Sequence, residues 1–136
     1  MPKRPQSEYL ERIGWAMYAF QGLEWSLIHV LKDAGQPIAQ TSTKTSGPIA
    51  SLLVALWEGD EVKSELASRF TALVTDRNHL AHSHPATMGG EDRVQSMHRW
   101  KVHGGNHVFW ITDNWLDEFS ERVRVLHRDL HVATRG

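Results

Sequence analysis

Three stretches of this 136-residue chain repeat apolar residues at alternating steps of three and four, the spacing of one face of an α-helix. The first line is Leu10, Ile13, Met17, Phe20, Leu27 and Leu31. The second is Leu66, Phe70, Leu73 and Leu80, and the last is Leu116, Phe119, Val123, Leu126 and Leu130. Such stripes leave water only by packing against one another, so most of the chain has to fold as packed helices. Ser7 suits the N-cap of a first helix running to about Lys32, with Gly35 and Pro37 closing it. Pro48 suits the first position of a second helix that ends near Glu58, ahead of Gly59. A third starts near Asp60; Pro85 disfavours the helical conformation at His84, so it should end at about His82. Thr112 or Asp113 can cap the last.

Between the third and last helices the character changes. "VQSMHRWKV" and "HVFWIT" flank "HGGN", which reads as two short strands around a glycine turn. The expected fold is therefore mainly all-α, a four- to five-helix up-and-down bundle. It forms a single domain over residues 1–136, with a hairpin inserted at about 93–112. A second apolar line on the first helix, Trp15, Tyr18, Gly22 and Trp25, runs down a different face. It requires that helix to be central in its domain or part of a subunit interface.

Composition narrows the function classes. Apolar residues make up 40% and charged residues 23%, a globular balance, and a net charge of −1 argues against coating nucleic acid by charge alone. The chain has no cysteine, which excludes a disulfide framework and thiolate metal sites. The basic N-terminus lacks the apolar run of a signal peptide, and "IASLLVALW" is too short to span a bilayer, so a cytoplasmic location and no membrane partner are expected. Charge is uneven, however. From Arg77 to Thr112 the only acids are Glu91 and Asp92, against Arg77, Arg93, Arg99 and Lys101, and six of the nine histidines lie there. A polyanion would be met in this stretch.

Two polar residues interrupt the stripes. After 10, 13, 17 and 20 the next core position is Glu24; after 66, 70 and 73 it is Arg77. An unpaired buried charge costs several kcal/mol, so pairing Glu24 with Arg77 is the economical arrangement. If the stripes are misphased by a residue, both side chains simply reach solvent. His82 follows Asn78 by four and shares its helix face; it follows Arg77 by five, about 140° round an ideal helix.

Arg77, Asn78, three residues and then His82, "RNHLAH", late in a helical domain of this size, resembles the HEPN superfamily (higher eukaryotes and prokaryotes nucleotide-binding domain). That superfamily's motif is Arg, four to six residues, then His, often beginning Arg-Asn. The resemblance implies a metal-independent endoribonuclease that leaves a 2′,3′-cyclic phosphate and needs no cofactor. It implies a toxin or phage-defence effector, a homodimer with a composite active site, and an antitoxin protein as partner. His82 would move the proton, Arg77 would hold the scissile phosphate, and Asn78 would orient either. Glu24, outside the motif, would hold Arg77 from behind. His79, His84, Arg99 and Lys101 are candidate RNA contacts.

Other readings compete. The same fold serves non-catalytic nucleotide- or RNA-binding and protein-interaction modules. The clustered histidines suit a metal by donor type, but no carboxylate sits beside them and no His-Glu-x-x-His pattern appears, so no metal ligand is assigned. Trp100, Phe109 and Trp110, alternating with basic residues, could stack single-stranded RNA or simply pack the hairpin onto the helices.

Overall fold

The computed structural model describes residues 7–88, 94–101 and 107–135, with side chains described for residues 7–84 and 110–135. Among the described residues, five helices and a small sheet follow in the order α1 (Ser7–Asp33), α2 (Ile38–Thr41), α3 (Ser46–Leu56), α4 (Glu61–Ala81), β1 (His84–Met88), β2 (Val94–Lys101), β3 (His107–Ile111) and α5 (Asp113–Thr134). The protein is a helical bundle with a late strand element.

The helix ends follow local chemistry. The Asp60 carboxylate accepts from the Lys63 N–H at 3.0 Å and the Thr112 hydroxyl from the Trp115 N–H at 3.1 Å, each satisfying a donor that the helix leaves open. Gly35 and Gly59 follow α1 and α3 with φ of 101° and 91°, the left-handed region that favours glycine. α3 begins at Ser46 rather than Pro48, with Thr45 at its cap, so Pro48 lies in the first turn, where its missing N–H is harmless. The polar run "QTSTKTSG", residues 40–47, has the composition of a turn; its first two residues end the short α2, in which Thr41 Oγ1 donates to the Pro37 carbonyl at 2.9 Å.

The expected stripes of α4 and α5 are all buried. That of α1 needs correction. Its buried line is Tyr9, Ala16, Phe20, Leu23, Leu27, Ile28 and Leu31, while Leu10 is 50% exposed and Ile13 and Met17 lie at the edge. The Tyr9 hydroxyl, which donates to the Ile111 carbonyl at 2.5 Å, turns the first turns of α1 toward the start of α5 and leaves Leu10 on the flank. Tyr9 was invisible to an aliphatic count because its polar tip needs this partner.

α1 and α5 run in the same direction. Tyr9 meets Ile111, Arg12 meets Asp117 at 3.1 Å, and Ser26 meets His127 at 2.8 Å. α4 runs opposite to α5, tied by Asp76–Arg122 at 2.5 Å and Arg69–Asp129 at 3.0 Å. The Arg69 hydrogen bond, with Arg128 adding to it, holds the Asp129 carboxyl below its ordinary range. A depressed folded value contributes stability above the unfolded carboxylate pKa, about 4, that is lost as pH falls through the lower folded value. Asp129→Asn is therefore expected to lower the thermal midpoint at neutral pH and to match the wild type in strong acid. A gap between them that persists at low pH would remove the ion pair as the cause.

The strands form an antiparallel sheet of order β1-β2-β3, with His84 opposite His98 and Met97 opposite Ile111. The expected hairpin corresponds to β2 and β3. β1 was not expected, because Pro85 argues against a strand except at an edge, which is where β1 lies. Among the described residues, no helix is long and apolar enough to cross a membrane.

Candidate functional site at the end of α4

α4 ends where its last turn meets a buried serine. The His82 N–H bonds to the Asn78 carbonyl at 3.0 Å, while His82 itself leaves helical geometry at φ −103° and ψ 12°. Ser83 is buried, and its hydroxyl donates to the Leu80 carbonyl at 2.6 Å, turning the chain into β1. The final turn therefore stays wound through His82. Asn78 and His82 share one flank, with Asn78 half-buried and His82 exposed, while Arg77 points about 140° away toward the core. Arg77 and His82 of one chain flank the helix end without meeting.

Arg77 occupies the core-facing position that its spacing indicated, and its Cζ lies 5.5 Å from the centroid of the Phe20 ring. That is within range for a cation over an aromatic face. Its Nη2 donates to Ser46 Oγ at 2.9 Å, and the Ser46 hydroxyl donates in turn to Glu24 Oε2 in a short hydrogen bond. Glu24 and Arg77 thus belong to one network, but the expected direct pair is replaced by a bridge. Ser46, 3% exposed in the first turn of α3, is inserted between α1 and α4. One hydroxyl hydrogen serves the carboxylate and one lone pair serves the guanidinium, so both contacts are charge-assisted.

Sequence reading missed Ser46. It lies in "QTSTKTSG", whose composition signals a turn; Thr41 and Ser46 are both buried there, and only the packing of α3 against α1 and α4 brings Ser46 to the two charges. The one available signal was that two half-buried charges need a third polar group if their helices stand too far apart to touch.

Not every donor is used. Arg77 Nε is buried and has no hydrogen-bond partner among the described residues. Nη1 makes no hydrogen bond among the described residues, and Nη2 keeps a second N–H beyond the one given to Ser46.

The remaining candidates are more dispersed. His79 is half-buried on α4, and His84 is exposed at the first position of β1. Arg99 and Lys101 lie on β2 with their backbones opposite Phe109 and His107; their side chains lie outside the described ones, as do those of Trp100 and Phe109. Among the described residues no three His, Asp or Glu side chains gather as metal ligands. Compared with models of protein families, with curated proteins and with solved structures, the chain matches none.

Proposed function

We infer that the chain is a metal-independent endoribonuclease, acting on cellular or invading RNA as a toxin or defence effector. The observation that supports this best is the state of Arg77. A core-facing guanidinium, anchored by Ser46 and Glu24 and backed by Phe20, keeps N–H donors unspent among the described residues, at the helix end that also carries Asn78 and His82.

In this reading a backbone phosphate of RNA docks on Arg77. His82 takes the proton from the ribose 2′-hydroxyl or gives one to the departing 5′-oxygen. The 2′-oxygen bonds to phosphorus, the bond to the 5′-oxygen breaks, and a 2′,3′-cyclic phosphate and a 5′-hydroxyl result. The fixed guanidinium favours the phosphorane, where negative charge is greatest. Asn78 orients the imidazole or the phosphate. Because Arg77 and His82 diverge round α4, a composite cleft would form when a second copy meets the first across the exposed end of α4. An antitoxin protein would act by covering that end.

The test is cleavage of a labelled mixed-sequence RNA in EDTA, with His82→Ala and Arg77→Ala beside the wild type. Loss of about a hundredfold or more in rate is expected for His82→Ala if it moves the proton. The products should carry a 2′,3′-cyclic phosphate. Absence of cleavage by a folded wild type would favour a non-catalytic RNA- or nucleotide-binding module instead. The observation on that side is that Arg77 already spends Nη2 on Ser46 and buries Nε.

A further inference from the structure

Among the described residues, nothing covers the face of α1 turned away from the core. Trp15, Tyr18 and Trp25 are 61%, 71% and 50% exposed, and Val132 of the adjoining α5 is 65% exposed. Trp15 and Tyr18 stack with centroids 5.9 Å apart, and Trp25 packs edge-on to His29 at 4.8 Å, so the rings form an ordered surface. Between α1 and α5 runs a groove of about 730 Å³ floored by Ala19, Gly22 and Val123. Apart from the backbone of its own helix, no atom of the described residues lies within 4 Å of where a Cβ on Gly22 would stand, so another backbone can approach closely there. A contiguous aromatic patch of this kind marks an interaction surface.

Charge identifies what it fits. Because α1 and α5 run in the same direction, both N-termini lie at one end of the groove and both C-termini at the other. At the first end stand Glu8 and Glu11, neither in an ion pair among the described residues. At the second stand Arg135, also without an ion pair among them, and Arg128, which shares the single carboxylate of Asp129 with Arg69. Among the described residues the face is acidic at one end, basic at the other and apolar in the middle. A surface of that pattern is complementary to itself when turned end for end.

We propose that two copies of this chain meet through the α1–α5 face, antiparallel about a two-fold axis near Gly22. Each acidic end then covers the partner's basic end, the aromatic rows interleave at the centre, and the helix dipoles of the two copies oppose. Two adjacent helices offer a patch about 30 Å by about 20 Å, or about 600 Å² per copy, within the range of specific interfaces. RNA fits the face less well. Asp117 and Glu121 line the groove and hold Arg12 and Arg124 in ion pairs at 3.1 and 2.6 Å, which leaves those guanidiniums less available to phosphate. Glu24 lies about 140° round α1 from the centre of this face. The contact is therefore distinct from a composite cleft at the end of α4, and it does not rest on the ribonuclease reading.

The experiment measures mass in solution by light scattering after gel filtration, over a wide concentration range at low salt. The variants are Glu8→Lys with Glu11→Lys, Arg128→Glu with Arg135→Glu, and Tyr18→Glu; all these positions are exposed, and circular dichroism checks that each folds. Each variant is expected to associate about tenfold or more weakly than the wild type and to run at half its mass where the wild type pairs. Mixing the two charge-reversed proteins should restore pairing, since one then carries two basic ends and the other two acidic ends. A wild type with the mass of one chain at every concentration overturns the proposal. So does a mass that none of the variants changes, or a mixture that fails to pair. RNA cleavage by the same variants reports on the site at α4 separately, so either reading can fail alone.

Discussion

Phe20→Ala is expected to lower stability by about 3–5 kcal/mol, the range for removing a buried aromatic ring and leaving its cavity. Phe20 is 2% exposed, and its ring stacks on Phe70 from α4 at 5.7 Å and on Phe119 from α5 at 6.1 Å. It is where three helices touch, so the cavity could close only if all three moved together. The same ring lies beneath the Arg77 guanidinium, and that contact disappears with it. Small domains hold about 5–15 kcal/mol in total, so the variant loses a large share of its stability. At this chain length the thermal midpoint should fall by about 10–20 °C. Phe20→Leu, which keeps most of the volume, should fall much less. A loss below about 1 kcal/mol in Phe20→Ala, measured by denaturant unfolding, would mean that the three helices do not meet at this ring.

Glu24→Ala should cost about 2–4 kcal/mol, below the full figure for a fully buried ion pair because Glu24 is only half-buried. The loss arises less from the contact removed than from what stays behind. Arg77 keeps its charge with Nε sealed from water, and Ser46 loses the acceptor for its proton. Glu24→Gln retains an acceptor without the charge and should fall between alanine and wild type. The deciding measurement is a double-mutant cycle with Arg77→Met. With the guanidinium gone, Glu24→Ala should cost at least about 1 kcal/mol less than it does alone. Additive losses would show that Ser46 does not couple the two charges, and the site would then be two separate polar contacts.

The helices themselves were legible in the chain. The stripes of α4 and α5, the start of α4 near Asp60, a cap at Thr112 or Asp113, and the end of α4 ahead of Pro85 are local: each depends on residues three or four apart and on backbone donors in one turn. The inward setting of Arg77 was legible for the same reason, since a charge in a stripe of known phase has a known direction. Leu10 and Tyr9 show where this reasoning stops. Both lie near the start of one helix, and which of them is buried depends on a carbonyl at Ile111, more than a hundred residues away.

β1 and Ser46 belong to the same class. A strand that contains Pro85 exists because β2 supplies a partner edge, and nothing within residues 84–88 reports that edge. Ser46 is one of several hydroxyls in a polar run, and only the placement of α3 between α1 and α4 puts it within reach of both charges. Local periodicity and end signals by themselves determined the four long helices, though not the short α2, and which of their residues are charged against the grain. The tertiary structure decided which groups meet, because a contact between distant segments depends on how the helices pack, and that depends on all of them at once.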